Sequence, residues 1–87
     1  METVYADRLY EFLTGLAEVA EAHNDRSALE RIEFARKHYL PPLTSEFLGV
    51  SMVALREILS RSEDLLSAQQ AKEARQYVSA ISRQWFS

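Results

Sequence analysis

Two histidines, His23 and His38, are the side chains best suited to proton transfer or metal binding at neutral pH. Neither has a second histidine, or a carboxylate four residues on, in a metal-ligand arrangement, and Glu33 and Glu46 are out of helical register with His38. Each reads as a surface or helix-terminal histidine, placed where a cation complements the helix dipole. The serines are the next candidates, as nucleophiles. None lies in a Gly-x-Ser-x-Gly elbow or a Ser-x-x-Lys arrangement. Ser27, Ser45 and Ser67 stand where helices should begin, and Ser62 just past one, so capping accounts for them. The adjacent pair Glu63-Asp64 reads as dipole partners ahead of a helix. There is no cysteine, which excludes thiolate zinc sites, cysteine nucleophiles and disulfides. No glycine-rich phosphate loop is present. The expectation is a non-enzyme with no cofactor and no metal.

The elements that would position these residues are helices. Eighty-seven residues make one small domain, 1–87, and 47% hydrophobic with 26% charged residues is ordinary for a folded chain. Apolar residues recur every three or four positions in four segments, at about 3–22, 28–39, 45–61 and 68–85, and no segment alternates like a strand. In the first, Tyr5, Leu9, Phe12, Leu16 and Val19 form a face, with Leu13 and Ala20 beside it and Thr3 as the cap. His23-Asn24-Asp25 supplies the turn. Ser27-Ala28-Leu29-Glu30 reads as a capping box for the second helix, whose face is Ala28, Ile32, Ala35 and Tyr39. Pro41-Pro42 ends it. The third helix, capped by Thr44, carries Leu48, Met52, Leu55 and Leu59, flanked by Phe47 and Ile58. The fourth starts at a Ser67–Gln70 box, with Leu66 placed to staple against Ala71. Its seam is Ala71, Ala74, Val78, Ile81 and Trp85. Short connections favour antiparallel neighbours, so the fold class expected is all-α, a compact antiparallel bundle of four helices.

Charge is uneven along the chain. Residues 1–30 hold two bases and seven acids, or 2 − 7 = −5; residues 31–87 hold eight bases and six acids, or 8 − 6 = +2. Asp7, Glu11, Glu18 and Glu21 fall on one stripe of helix 1, opposite its apolar face. Asp7 and Glu11 are like charges four residues apart, and Glu18 and Glu21 crowd the end where the dipole prefers cations. Helix 3 follows the dipole rule, with Glu46 early and Arg56 and Arg61 late. The helix 1 stripe is therefore a candidate binding face. Nucleic-acid binding is not favoured: Arg31, Arg36 and Lys37 share their helix with Glu30 and Glu33, and no helix shows an unopposed basic face. The first residues lack a basic region and an apolar run, and no long apolar run follows, so no membrane contact and a cytoplasmic location are expected.

A second set of residues is apolar on the polar side. Phe34 lies opposite the Ile32–Tyr39 face, Val50 and Val53 opposite Leu55 and Leu59, and Tyr10 beside the acidic stripe. A helix buried on two sides is the competing account of the two valines. The run from Phe47 to Leu59, followed by the Leu65-Leu66-Ser67 helix start, resembles small helical bacterial immunity proteins. These neutralise contact-dependent or bacteriocin-type toxins, nucleases among them. The resemblance implies an inhibitor that covers a toxin's active-site region. Asp7, Glu11, Glu18 and Glu21 would then meet toxin Lys or Arg, with Tyr10 or Phe34 as anchors. The alternative is a homodimeric structural or adaptor module, or a small subunit of an assembly, built on Phe34, Val50 and Val53. A small DNA-binding regulator ranks behind both.

Overall fold

The computed structural model describes residues 4–61 and 63–86, without the side chains of residues 63, 85 and 86. The expected Thr3 cap, the Ser62 break and the Trp85 side chain lie outside what is described. Four α-helices follow one another: α1 (Ala6–Ala22), α2 (Arg26–Lys37), α3 (Ser45–Arg61) and α4 (Ala68–Phe86). A single 3-10 turn, Glu63–Leu65, links α3 to α4. The chain is an all-α four-helix bundle of 35 × 24 × 17 Å. Arg36 in the last turn of α2, and Tyr39 just past it, meet Tyr10 near the start of α1, so these two helices run antiparallel. His38 meets Glu46 and Arg31 meets Glu57, so α2 and α3 are antiparallel as well.

The helix boundaries follow from local hydrogen bonding. Tyr5 is extended (φ −91°, ψ 118°) and its carbonyl accepts from Leu9 N–H, so α1 begins after it. Tyr5 is accordingly 58% exposed and contributes nothing to the core face assigned to it from spacing. α1 ends in a Schellman turn: Asn24 has φ 56°, Asn24 N–H donates to Glu21 O, and Asp25 N–H donates to Ala20 O. Asparagine is among the few side chains that tolerate this left-handed position.

α2 sits two residues earlier than its sequence pattern suggested. Asp25, not Ser27, caps it: the Asp25 carboxylate accepts from Ala28 N–H at 3.0 Å. At the far end Tyr39 N–H donates back to Arg36 O, and Tyr39 leaves the helix ahead of Leu40 and the prolines. Leu43 N–H donates to Leu40 O at 2.9 Å across the Pro41-Pro42 corner, where the peptide bond is cis. α4 starts as expected, with Ser67 Oγ accepting from Gln70 N–H and Gln70 Oε1 accepting from Ser67 N–H.

The core draws on all four helices. Leu9, Leu13, Leu16 and Ala20 come from α1, and Ala28, Ile32 and Ala35 from α2. Phe47, Leu55 and Ile58 come from α3, and Ala74 and Ile81 from α4. In α3 the buried line passes through Ser51, while Met52 and Leu59 are only half-buried. A ring stack closes the α1–α2–α3 junction. Tyr10 lies 4.6 Å from Tyr39, which lies 5.1 Å from Phe47. Phe12 and Tyr77, 5.2 Å apart, join α1 to α4.

Candidate functional site

Packing α2 against α3 leaves an open groove on their outer side, of about 660 Å³. Phe34 comes from α2; Gly49, Val50, Val53 and Ala54 come from α3. These positions fall together because α2 and α3 are antiparallel: residues 46–57 of one helix run past residues 27–34 of the other. Phe34 is 58% exposed and Val53 56%, so neither belongs to the core, and Val50 is half-buried. The two-sided burial considered for Val53 is not what the fold does with it. Gly49 leaves one wall of the groove without a side chain. The Phe34 ring rests against the His38 ring at 4.7 Å, which steadies it without covering it.

Charged side chains mark both ends. Glu30, Arg31 and Glu57 stand at one, Glu46 at the other. Glu57 Oε2 lies 3.2 Å from Arg61 Nε and 3.9 Å from Arg31 Nη1, yet that buried oxygen has no well-aligned hydrogen bond. Glu46 Oε1 lies 3.4 Å from His38 Nε2. His38 Nδ1 is 2.8 Å from Phe34 O, and His23 Nδ1 is 2.9 Å from Val19 O. Both histidines thus fold back on the last turns of their helices, the helix-terminal role read from sequence. Among the described residues no group of three His, Asp or Glu side chains could hold a metal ion.

The six residues singled out from sequence separate in space. Asp7, Glu11, Glu18 and Glu21 are all exposed on α1, and among the described residues none has an ion-pair partner. α1 carries no basic residue in its last turn, unlike α2, α3 and α4. Glu73 of α4, half-buried and accepting from Gln69, lines a hollow with Arg8 and Tyr77 where α4 meets the start of α1. Tyr77 senses the connection: its pKa is raised above the ordinary value, first by burial and then by Glu73, with Asp7 and Glu11 adding and Arg8 opposing.

Tyr10 is placed differently. It is half-buried in the ring stack, and the Arg36 guanidinium covers its face at 5.0 Å while donating to its hydroxyl at 3.3 Å. Arg36 in turn donates to Glu33 at 2.6 Å; that bond is the main reason its pKa is raised, burial opposing it. Tyr10 therefore ties α1 to α2. Phe34 belongs with α3 and not with the α1 carboxylates.

The sequence pattern groups Phe34, Val50 and Val53 as a candidate interface, but it holds no signal that Glu30, Arg31, Glu46 and Glu57 form its rim. Leu40 and Leu43, 66% and 79% exposed beside the prolines, also went unmarked. Fold and site together define a small all-α domain with an apolar groove on one pair of helices and an acidic stripe on another. No family model, curated protein or solved structure matches the chain. Among the described residues no helix is long and apolar enough to cross a membrane.

Proposed function

We propose that this chain is a non-catalytic protein-binding domain. The observation that carries the reading is the convergence of Phe34, Val50 and Val53, from two helices, in one groove that the fold itself leaves uncovered. Soluble chains rarely leave aromatic and branched apolar side chains clustered on the surface without a partner for them. The finer reading is an inhibitor of the kind its third helix resembles, which covers a basic surface on a toxin-like protein. Its support is the α1 face, four exposed carboxylates that no described cation neutralises. Such a face raises the encounter rate with a basic partner.

Site-specific photocrosslinking in the native cells tests both levels. A benzophenone side chain at position 34 should yield one discrete protein adduct, absent when the same group replaces exposed Lys72 and lost on Val53→Asp with the helical fold intact. Equal adducts at both positions, or none at position 34, would overturn the protein-binding reading. For the inhibitor reading, Glu11→Lys with Glu18→Lys should weaken the captured partner about tenfold and flatten its salt dependence. Unchanged affinity and salt slope would sink the acidic-face mechanism while leaving the groove.

A further inference from the structure

We propose that the α2–α3 groove takes a cationic amphipathic helix of about three turns from its partner, an inference that rests on the protein-binding reading. The length comes from the fold. Glu46 and Glu57 bracket the groove along α3, eleven residues apart, or about 16 Å at 1.5 Å per residue. That is about three turns of helix, enough for apolar residues at i, i+3 or i+4, and i+7 to reach Val50, Val53 and Phe34. A helix is the element that fits, because a third helix can lay its side-chain ridge between two antiparallel ones. An extended segment would need a free sheet edge, and the described residues form no sheet.

The charge of the occupant follows from the rim. Glu57 is already held between Arg31 and Arg61, so the carboxylates left for a partner are Glu30 at one end and Glu46, 78% exposed beside His38, at the other. Glu30 is exposed and, among the described residues, has no ion-pair partner. Lys or Arg flanking the apolar stripe of an incoming helix would find these carboxylates. A second copy of the chain would instead bring two acidic rims together, each on a molecule of net charge −3. Charge complementarity thus selects a basic partner helix over self-association.

The test uses the intact protein and two stapled helical peptides of about fourteen residues, spaced Leu at every third or fourth position, flanked by Lys in one and Glu in the other. Fluorescence anisotropy should show the Lys peptide binding at least about tenfold tighter, and Phe34→Ser weakening it about tenfold. Backbone amide shifts should centre on Val50 and Val53 and be unchanged by Glu11→Lys with Glu18→Lys. Equal binding of both peptides, no binding of either, or shifts centred on α1 would each overturn the proposal. So would a dimer in sedimentation that Phe34→Ser dissolves, since a second copy would then own the groove. Should position 34 still capture a partner while the Lys peptide shows no preference, the occupant assigned here fails and the protein-binding reading stands. Should the peptide dock at Val50 and Val53 while position 34 captures nothing, the groove chemistry stands and that reading fails.

Discussion

Tyr77 shows how a single side chain reports on the packing around it. Its ring leans on Phe12 at 5.2 Å, and burial, aided by Glu73, Asp7 and Glu11, favours the neutral phenol. The folded pKa is thus higher than the unfolded one, which lies at about 10. Below that value both states hold the proton and the residue adds no pH dependence. Above it the unfolded chain releases its proton first, so the unfolded state binds fewer protons and stability falls as pH rises through the folded pKa. Tyr77→Phe keeps the ring and removes the phenol. Urea denaturation at about pH 8 and about pH 11 should therefore show a smaller alkaline loss in the variant than in the parent. The other tyrosines contribute equally to both proteins and cancel in the difference. An identical loss in the two would mean that Tyr77 is not held neutral by the fold.

At the scale of elements, the start of α2 shows a turn residue taking the capping role that spacing assigns to Ser27. Ser27 and Glu30 have capping-box spacing, but Asp25 sits at the left-handed turn where the chain actually reverses, and its carboxylate takes the Ala28 N–H. Asp25→Ala should cost about 1 kcal/mol, and Ser27→Ala less than about 0.5 kcal/mol, measured by chemical denaturation. The reverse order would return the cap to Ser27. The Ser67–Gln70 box was legible because the two residues just before Ser67 are leucines, which cannot cap, and both of its bonds form. Periodicity likewise marked all four helices, since each buries one face. What it could not show is the rotation of that face. In α3 the fully buried line runs Phe47, Ser51, Leu55 and Ile58; the stripe read from spacing, Leu48, Met52, Leu55 and Leu59 flanked by Phe47 and Ile58, shares most of it but is turned toward Met52 and Leu59, because the polar Ser51 gives no sign that it is buried. The groove was legible as a set of three apolar residues on the polar side, but not as a shaped site with a charged rim. Phe34 and Val53 are nineteen positions apart, and nothing local encodes the α2–α3 register that joins them. Tyr10 is a different case: flanking an acidic stripe is compatible with exposure, and only the arrival of Tyr39 and Arg36 half-buries it.

The whole molecule is small enough that each large apolar side chain must be accounted for. A domain of this size buries a smaller share of its surface than a larger one and has a stability of roughly 5–10 kcal/mol. Phe47 and Phe34 divide the two uses of such a side chain. Phe47 is fully buried and touches the rings of both Tyr10 and Tyr39, whereas Phe34 is 58% exposed and meets His38 at the edge of the groove. Phe47→Ala should cost about 3–5 kcal/mol, a large part of the total, by the transfer and cavity terms of a buried aromatic. Phe34→Ala should cost less than about 1 kcal/mol, because little of its ring leaves water on folding. Equilibrium denaturation of the two variants gives both numbers. A loss above about 1.5 kcal/mol for Phe34→Ala would make the ring a structural member of the α2–α3 pair and remove the argument for a partner there. A small loss, alongside a crosslink that forms from position 34 and is lost on Val53→Asp, would place stability in the core and binding in the groove, on opposite sides of the same two helices.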